Sequence, residues 1–297
     1  MSALHAAARA PLPDVRRITW DSLADAIALL GEHPLSDRAV HGVRKDLKRA
    51  RAMLRLMRAG LGEREYHQRN AALRDAARHL SAARDSKVLL DTLSNLPLHG
   101  AAPDLRSRLR KEHALARSSL RAEMSSVKRA RKILRTVRRE LPEASEMRCD
   151  WRVLQNGLRR VYARARAALA QARLHPTAEN LHELRKQTKY LWHQLQALTP
   201  ARRRETPPLV AAAHRLSDVL GAEHDLATLR ARTFEVPMRS ATRARLLSQI
   251  DARSDRMLDQ ATTLASQLYR DPPAEFAARA LRGSARCRVV RRASTSS

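Results

Sequence analysis

Two segments of the chain carry histidine, arginine and lysine in the same order and at the same spacing. VHGVRKDLKRARAML begins at Val40, and LHELRKQTKYLWHQL begins at Leu181. The residues that share the pattern are His41, Arg44, Lys45 and Lys48 in the first segment and His182, Arg185, Lys186 and Lys189 in the second. An arginine fork binds phosphate oxygens in pairs, a lysine supplies a point charge, and a histidine donates a hydrogen bond. The repeated pattern predicts two matching sites for an anion.

Each segment is predicted to form a helix with one basic face and one apolar face. Successive residues turn by about 100 degrees, so side chains three, four and seven positions apart share a face. The basic face of the first helix also contains Arg51 and Arg55, and that of the second contains His193, with Trp192 at its edge. The predicted apolar faces are Val40, Val43, Leu47, Ala50, Leu54 and Met57, and Leu181, Leu184, Leu191, Leu195 and Leu198.

Crowded like charges cost each helix about 0.2–0.5 kcal/mol per pair, and a bound anion would remove that cost. A solvated cationic face is the alternative interpretation. A face that only meets water has no need to keep one order of histidine, arginine and lysine in both segments. The sequence therefore favours an anion site.

Two further helices carry candidate anion contacts. Lys128, Lys132 and Arg135 share one face of a helix predicted over residues 104–140. Arg159, Tyr162 and Arg166 share a face of a helix predicted over 150–173. A tyrosine hydroxyl between arginines is able to donate a hydrogen bond to a phosphate oxygen, and the alternative is that Tyr162 covers the edge of the core.

The helical spacing of apolar residues and the positions of the prolines together predict an all-α fold. Prolines separate long runs of helical periodicity. The predicted helices are 20–31, 36–59, 63–95, 104–140, 150–173, 177–198, 208–233 and 239–270. LSAARDSKVLL from Leu80 matches LGAEHDLATLR from Leu220, which pairs Asp85 with Asp225 as predicted ion-pair partners of the basic residues. Two repeats in the same order indicate a duplicated four-helix unit.

The predicted architecture is two four-helix bundles related by pseudo-twofold symmetry. The first bundle repeat is predicted over 18–141 and the second over 142–282. Residues 1–17 and the basic tail 283–297 are predicted to be disordered.

The charge balance indicates a polyanionic partner. Lysine and arginine number 58 against 30 acidic residues, a net charge of +28. A field of this size suits nucleic acid, an anionic membrane or polyphosphate. The sequence contains no apolar run long enough to span a bilayer. The beginning of the chain lacks a secretory signal. A cytoplasmic protein without membrane contact is therefore expected. The two cysteines form neither a disulfide framework nor a zinc site.

Of the possible anions, inorganic polyphosphate fits best. Aromatic residues are 3% of the chain, few for the base stacking that single-stranded nucleic acid needs, and the basic helices are long for DNA recognition helices. No phosphate-binding loop, nucleophile triad or carboxylate cluster is evident, so no catalytic residue, metal or cofactor is expected. The alternative is a helical protein that binds nucleic acid non-specifically.

The pattern HxxRKxxK early in a helix, present twice and followed by LxxxxD in each half, resembles the CHAD family of histidine-bearing α-helical domains. The likeness covers residues 20–285 and includes the segments GLRRVYARARAAL and HRLSDVLGAEHDL. It implies two four-helix bundles around a basic cavity, binding of inorganic polyphosphate and residence on polyphosphate granules.

By position, the resemblance assigns the anion contacts to specific residues. These are His41, Arg44, Lys45, Lys48 and Arg51 in the first half and His182, Arg185, Lys186 and Lys189 in the second. The second half departs from the pattern at two positions, because Trp192 stands opposite Arg51 and His224 stands opposite Arg84.

Overall fold

The computed structural model describes residues 14–97, 102–122, 124–142, 149–199 and 208–285, and within these ranges the chain contains helices and no strand. The all-α prediction is therefore confirmed. The helices are α1 (Val15–Leu29), α2 (Asp37–Leu56), α3 (Arg58–Leu61), α4 (Glu63–Arg78), α5 (Ser81–Ser94), α6 (Pro103–Ala122), α7 (Met124–Arg139), α8 (Trp151–Leu174), α9 (Ala178–Leu198), α10 (Pro208–Glu235), α11 (Ser240–Leu268) and α12 (Pro273–Ala285). The helix predicted over 104–140 is represented by α6 and α7, and Glu123 between them lies outside the described residues.

Matching caps set the start of the two helices that carry the repeated basic pattern. The Ser36 hydroxyl accepts a hydrogen bond from the backbone N–H of Ala39 at 3.0 Å, and α2 follows. The Thr177 hydroxyl accepts one from the backbone N–H of Asn180 at 3.3 Å, and α9 follows. Such caps satisfy N–H groups that the first helical turn leaves open. His41 and His182 therefore occupy the same position in their helices, five residues after the cap.

The helices of each half pack in a similar order. In the first half α1 packs against α2 and α5 against α6; in the second, α8 packs against α9 and α10 against α11. Between the halves, α2 packs against α9 and α5 against α10. A pseudo-twofold axis would relate these pairs, and the two-bundle symmetry and its domain boundaries stay predictions.

The apolar faces predicted for α2 and α9 lie in the core. Val43, Leu47 and Leu54 of α2 are almost fully buried, as are Leu184 and Leu191 of α9. One core cluster includes residues from both halves. A second cluster lies between α5, α6, α10 and α11. Burial of these faces fixes the rotation of α2 and α9 and therefore the direction of their basic faces.

One predicted helix is interrupted. The stretch 63–95 was predicted to be continuous, but α4 ends at Arg78 and α5 begins at Ser81. Leu80 is buried, and its backbone N–H donates to the Ala77 carbonyl oxygen at 3.2 Å, a tighter turn than an α-helix makes. The two parts have different neighbours, because α4 packs against α7 whereas α5 packs against α6 and α10. Tertiary packing therefore divides residues 63–95 into two helices, although the spacing of apolar residues predicts one.

Both ends of the fold extend beyond the predicted helices. Val15–Arg17, placed in the predicted disordered N-terminus, belong to α1. α12 follows the last predicted helix and packs against α8, where the Phe276 ring stacks on Tyr162 with centroids 3.8 Å apart. α12 also includes residues 283–285 of the predicted tail. The remaining residues predicted to be disordered, 1–13 and 286–297, lie outside the described residues.

Candidate anion-binding site

The basic face of α2 begins at an exposed histidine and is directed toward α5. His41 is exposed, and Arg44, one turn later, is partly buried. The Arg44 guanidinium lies 3.7 Å from a carboxylate oxygen of Asp85 on α5. Asp85 was predicted to orient a basic residue, and this ion pair confirms it. Asp225, its counterpart on α10, is partly buried.

The basic face of α9 is directed toward α10. The His182 and His224 rings lie 5.1 Å apart between centroids. Arg185 lies beside Gly221, because a Cβ on that glycine would stand 3.8 Å from the guanidinium Nε and Nη2. Lys189 Nζ lies 4.0 Å from a carboxylate oxygen of Asp218. The second half therefore presents its arginine and histidine in the gap between α9 and α10.

Lys48 of α2 contributes to the same region. Desolvation by surrounding side chains lowers the pKa of His182, and the charges of Arg185 and Lys48 lower it further. Burial lowers the pKa of His224 to about 4, again with contributions from Arg185 and Lys48. A charge has this effect only at short range. His182, Arg185 and His224 therefore lie together where α9 packs against α2 and α10, and Lys48 of α2 acts on both histidines through its charge.

Arg51 and Arg55, at the other end of the α2 face, are held by neighbouring helices. Arg51 Nε and Arg55 Nη1 donate to the Asn70 side-chain oxygen on α4, at 3.0 and 2.9 Å. The Arg55 guanidinium lies 3.9 Å from the centroid of the Tyr190 ring on α9, a cation–π contact. Burial lowers the pKa of Arg55. These contacts fix both side chains before any ligand arrives.

Lys45 and Lys186 occupy equivalent positions with different surroundings. Lys45 is exposed. Lys186 is partly buried and forms an ion pair with Glu183, one turn earlier on α9. Glu183 also accepts a hydrogen bond from the Gln187 amide at 2.7 Å. The α9 face is therefore partly neutralised by its own helix.

His193 does not belong to the basic face, contrary to the prediction. Its side chain is 3% exposed, and burial together with the charges of Lys189 and Arg49 lowers its pKa to about 3. Its ring lies 4.4 Å from that of Trp192, and Trp192 also contacts Lys189 and His214. The angular position of His193 on the helix predicted that it lies among the cations. Neighbouring side chains bury its ring, which is therefore neutral near pH 7.

Two of the three candidate contacts on α8 are engaged by the backbone between the end of α11 and the start of α12. Tyr162 is fully buried, and its hydroxyl donates to the carbonyl oxygens of Leu268 and Asp271 at 3.2 and 3.1 Å. Burial raises its pKa to about 12. The prediction of a phosphate contact is wrong for Tyr162, and the alternative, a tyrosine at the edge of the core, is correct. Arg166 donates to the Asp271 carbonyl at 2.9 Å, and Arg159 is exposed at a surface depression beside Asn156.

The candidate contacts on α7 lie on a different surface. Lys128, Lys132 and Arg135 are exposed. α7 packs against α1 and α4, and both of these helices pack against α2. The structure therefore places one layer of helices between these three residues and the region where α2 meets α9.

Two residues of the region were not among the predicted contacts. His224 was regarded as a departure from the pattern, because it replaces Arg84, yet its ring lies beside His182. Its alignment with a basic residue was the signal available in the sequence. Asn70, which joins Arg51 and Arg55, had no such signal, because hydrogen bonding between α2 and α4 depends on their packing.

Two general features were also determined for the described part of the chain. No group of three or more histidine, cysteine, aspartate or glutamate side chains there is arranged to hold a metal ion. No helix there combines the length and the apolar character that crossing a bilayer requires.

Comparison with known proteins agrees with the resemblance seen in the sequence. The CHAD domain family model matches residues 22–233. PptA from Streptomyces chartreusis has a similar structure, with a TM-score of 0.60 and 15% identity over 86% of this chain and 98% of that chain. The CHAD domain from the plant Ricinus communis is also similar, with a TM-score of 0.57 and 19% identity over 95% of this chain and 94% of that chain.

At these identities the two solved structures show a shared fold alone. No curated protein matches the chain. Because the family model spans more than half of the chain and the fold agrees with that of a solved CHAD domain, the protein belongs to the CHAD domain family.

Proposed function

We propose that the protein binds inorganic polyphosphate, without catalysis, through the basic faces of α2 and α9. The observation that carries the proposal is that His182 of α9 lies beside His224 of α10, with Arg185 against Gly221, where α9 packs against both α2 and α10. Cations from both halves of the chain approach one another there at a cost in repulsion. A flexible polyanion that contacts both faces removes that cost.

The length of the α2 face suits a polymer better than a single phosphate. His41 to Arg55 spans roughly 21 Å along the helix at 1.5 Å per residue. Arg51 and Arg55 are held in place by Asn70, so little side-chain freedom is lost when they bind. Successive phosphates of one chain therefore have successive cations to contact. Membership of a family associated with polyphosphate binding supports the same ligand.

The aromatic side chains near the site favour polyphosphate over nucleic acid. Tyr190 is buried beneath Arg55, and Trp192 packs against Lys189, His193 and His214. Neither ring offers an open face for stacking a base, which single-stranded nucleic acid requires for tight binding. Nucleic acid is expected to bind weakly and without sequence preference. The proposed location is the cytoplasm, on polyphosphate granules.

Joint charge reversal of Arg44 and Arg185 tests the proposal. These residues are equivalent in the two halves and lie on the two basic faces. We expect R44E/R185E to weaken the tight binding of long-chain polyphosphate by at least ~100-fold, because two charge-assisted contacts of about 1.5–3 kcal/mol each become repulsive. Isothermal titration calorimetry measures the change, and circular dichroism checks that helicity is retained.

The matched control is R245E/R256E, which makes the same change of net charge at two exposed arginines of α11. We expect this control to bind nearly as tightly as the wild type. Equal weakening in the two variants would mean that net charge alone drives binding. If duplex DNA displaces polyphosphate at equal phosphate concentration, the nucleic-acid alternative is correct.

A further inference from the structure

α7 carries a dense cationic surface that the α2–α9 site does not use. Its sequence, MSSVKRARKILRTVRR, contains no acidic residue. Lys128, Lys132, Arg135 and Arg139 lie within an arc of about 60 degrees and extend over about 16 Å of the helix. All four side chains are exposed. We call these four residues the α7 ridge.

The core side of α7 is separate from the ridge. Ala130, Leu134 and Val137 are buried. Two other arginines of α7 are engaged elsewhere: the Arg138 guanidinium lies 3.4 Å from the centroid of the Trp20 ring, and Arg131 lies against Gly31. These contacts attach α7 to Trp20 of α1 and to Gly31, two residues after α1 ends. The ridge therefore has a rigid support, which reduces the entropy lost when a ligand binds.

Three acidic residues of the neighbouring helices form ion pairs with arginines of their own helix. On α1, Asp21 pairs with Arg17 of the same helix. On α4, Glu65 pairs with Arg69, and Asp75 pairs with Arg78. Among the described residues, no ion pair or hydrogen bond engages the side chains of Lys128, Lys132 or Arg135; Arg139 lies 3.9 Å from Glu140. Three adjacent cations are thus exposed with no ion pair to any side chain that the structure describes.

The ridge and the α2–α9 site are too far apart to act as one surface. α1 and α4 lie between α7 and α2, and one helix with its side chains is about 10 Å across. A short phosphate chain therefore contacts one of the two surfaces at a time. A long chain, or two chains, contacts both.

We propose that the α7 ridge is a second, independent polyphosphate-binding surface, which makes the protein bivalent and able to cross-link phosphate polymers. This inference rests on the proposed function, because it assigns the same class of ligand to a second place. Bivalent binding links chains into networks that a protein with one site does not form.

The test combines stoichiometry and light scattering. The variant K128A/K132A/R135A removes three of the four cations of the ridge, and alanine preserves the helix. Its matched control, R239A/R245A/R256A, removes the same charge from exposed arginines near or on α11. Titration calorimetry with a short-chain polyphosphate counts bound chains, and static light scattering with a long-chain polyphosphate reports cross-linking.

We expect the wild type and the matched control to bind two short chains and to scatter strongly with long chains. The ridge variant is expected to bind one chain and to lose the scattering. R44E/R185E is expected to keep one chain, at the ridge. A ridge variant that still binds two chains, a wild type that binds one, or an R44E/R185E protein that binds none would overturn the inference. If the α2–α9 proposal is wrong and the ridge proposal is right, the result is different: R44E/R185E then binds as the wild type does.

Discussion

The His182 and His224 rings lie 5.1 Å apart between centroids, and two histidines in contact make this part of the site sensitive to pH. The pKa of each ring is below its ordinary value, first because neighbouring side chains desolvate it and then because nearby cations repel the proton. Glu183 acts in the opposite direction on His182. Both rings are therefore neutral near pH 7 in the free protein.

A bound polyanion reverses part of this shift, because negative charge raises the pKa of a nearby histidine. The complex then holds more protons than the free protein, and affinity increases as the pH falls through the higher pKa of the bound state. We expect polyphosphate affinity to rise as the pH falls from 7 to 4, by up to a factor of ten for each unit by which binding raises the pKa of a histidine. Titration calorimetry at several pH values and fixed ionic strength measures the dependence.

The variant H182Q/H224Q is expected to show a much smaller rise, whereas H175Q, a change at an exposed histidine outside the site, is expected to follow the wild type. Affinity that decreases on acidification, or a double variant with the full dependence, would show that the pair does not take up protons when the ligand binds.

At the residue scale, the sequence predicted side-chain type and face better than it predicted surroundings. The positions of Arg44, Lys48 and Arg185 follow from helical periodicity and were predicted. Tyr162 and His193 also had the correct angle, but α12 covers Tyr162 and the packing around Trp192 covers His193. Which helix lies over a given side chain depends on tertiary packing, and one helix taken alone does not contain that information.

Gly157 allows α8 to cross the end of α2 at very short distance. A Cβ on Gly157 would stand 2.0 Å from the Leu56 carbonyl oxygen and 2.7 Å from its carbon. These are backbone atoms of α2, so no side-chain rotation relieves the overlap. We expect G157A to destabilise the protein by at least about 2–3 kcal/mol, because the two helices must move apart. Urea denaturation measures the loss.

The control is G221A, in another helix interior. A Cβ on Gly221 would be in ordinary contact with Arg185, at 3.8 Å. Alanine is also the better helix former, so G221A is expected to leave stability equal or slightly higher. If G157A is as stable as G221A, the close crossing of α8 over α2 is not a feature of the folded protein.

At the element scale, most helices were predicted to within a few residues because their ends are marked locally. Ser36 and Thr177 cap α2 and α9, and α6, α10 and α12 each begin at a proline. The division between α4 and α5 has no such mark. It follows from the different neighbours of the two helices, which only the assembled structure defines.

At the scale of the whole molecule, the protein combines a net charge of +28 with a fold that gathers part of that charge between its two halves. The packing of α2 against α9 is supported by a hydrogen bond from the Gln194 amide to the Ala52 carbonyl, at 3.1 Å. The duplicated sequence predicted two basic helices. Their approach to one another was implied by family resemblance, since periodicity within each helix does not determine how the halves pack.

The central claim, that the basic faces of α2 and α9 bind one polyphosphate together, is tested most directly by the salt dependence of binding. Each cation that contacts a phosphate releases a counterion, so the logarithm of affinity falls with the logarithm of salt concentration in proportion to the number of contacts. We predict that R44A and R185A, measured separately by calorimetry, each reduce this slope below that of the wild type and of R245A. A slope that is unchanged in either R44A or R185A would contradict the claim, because one basic face would then bind without the other.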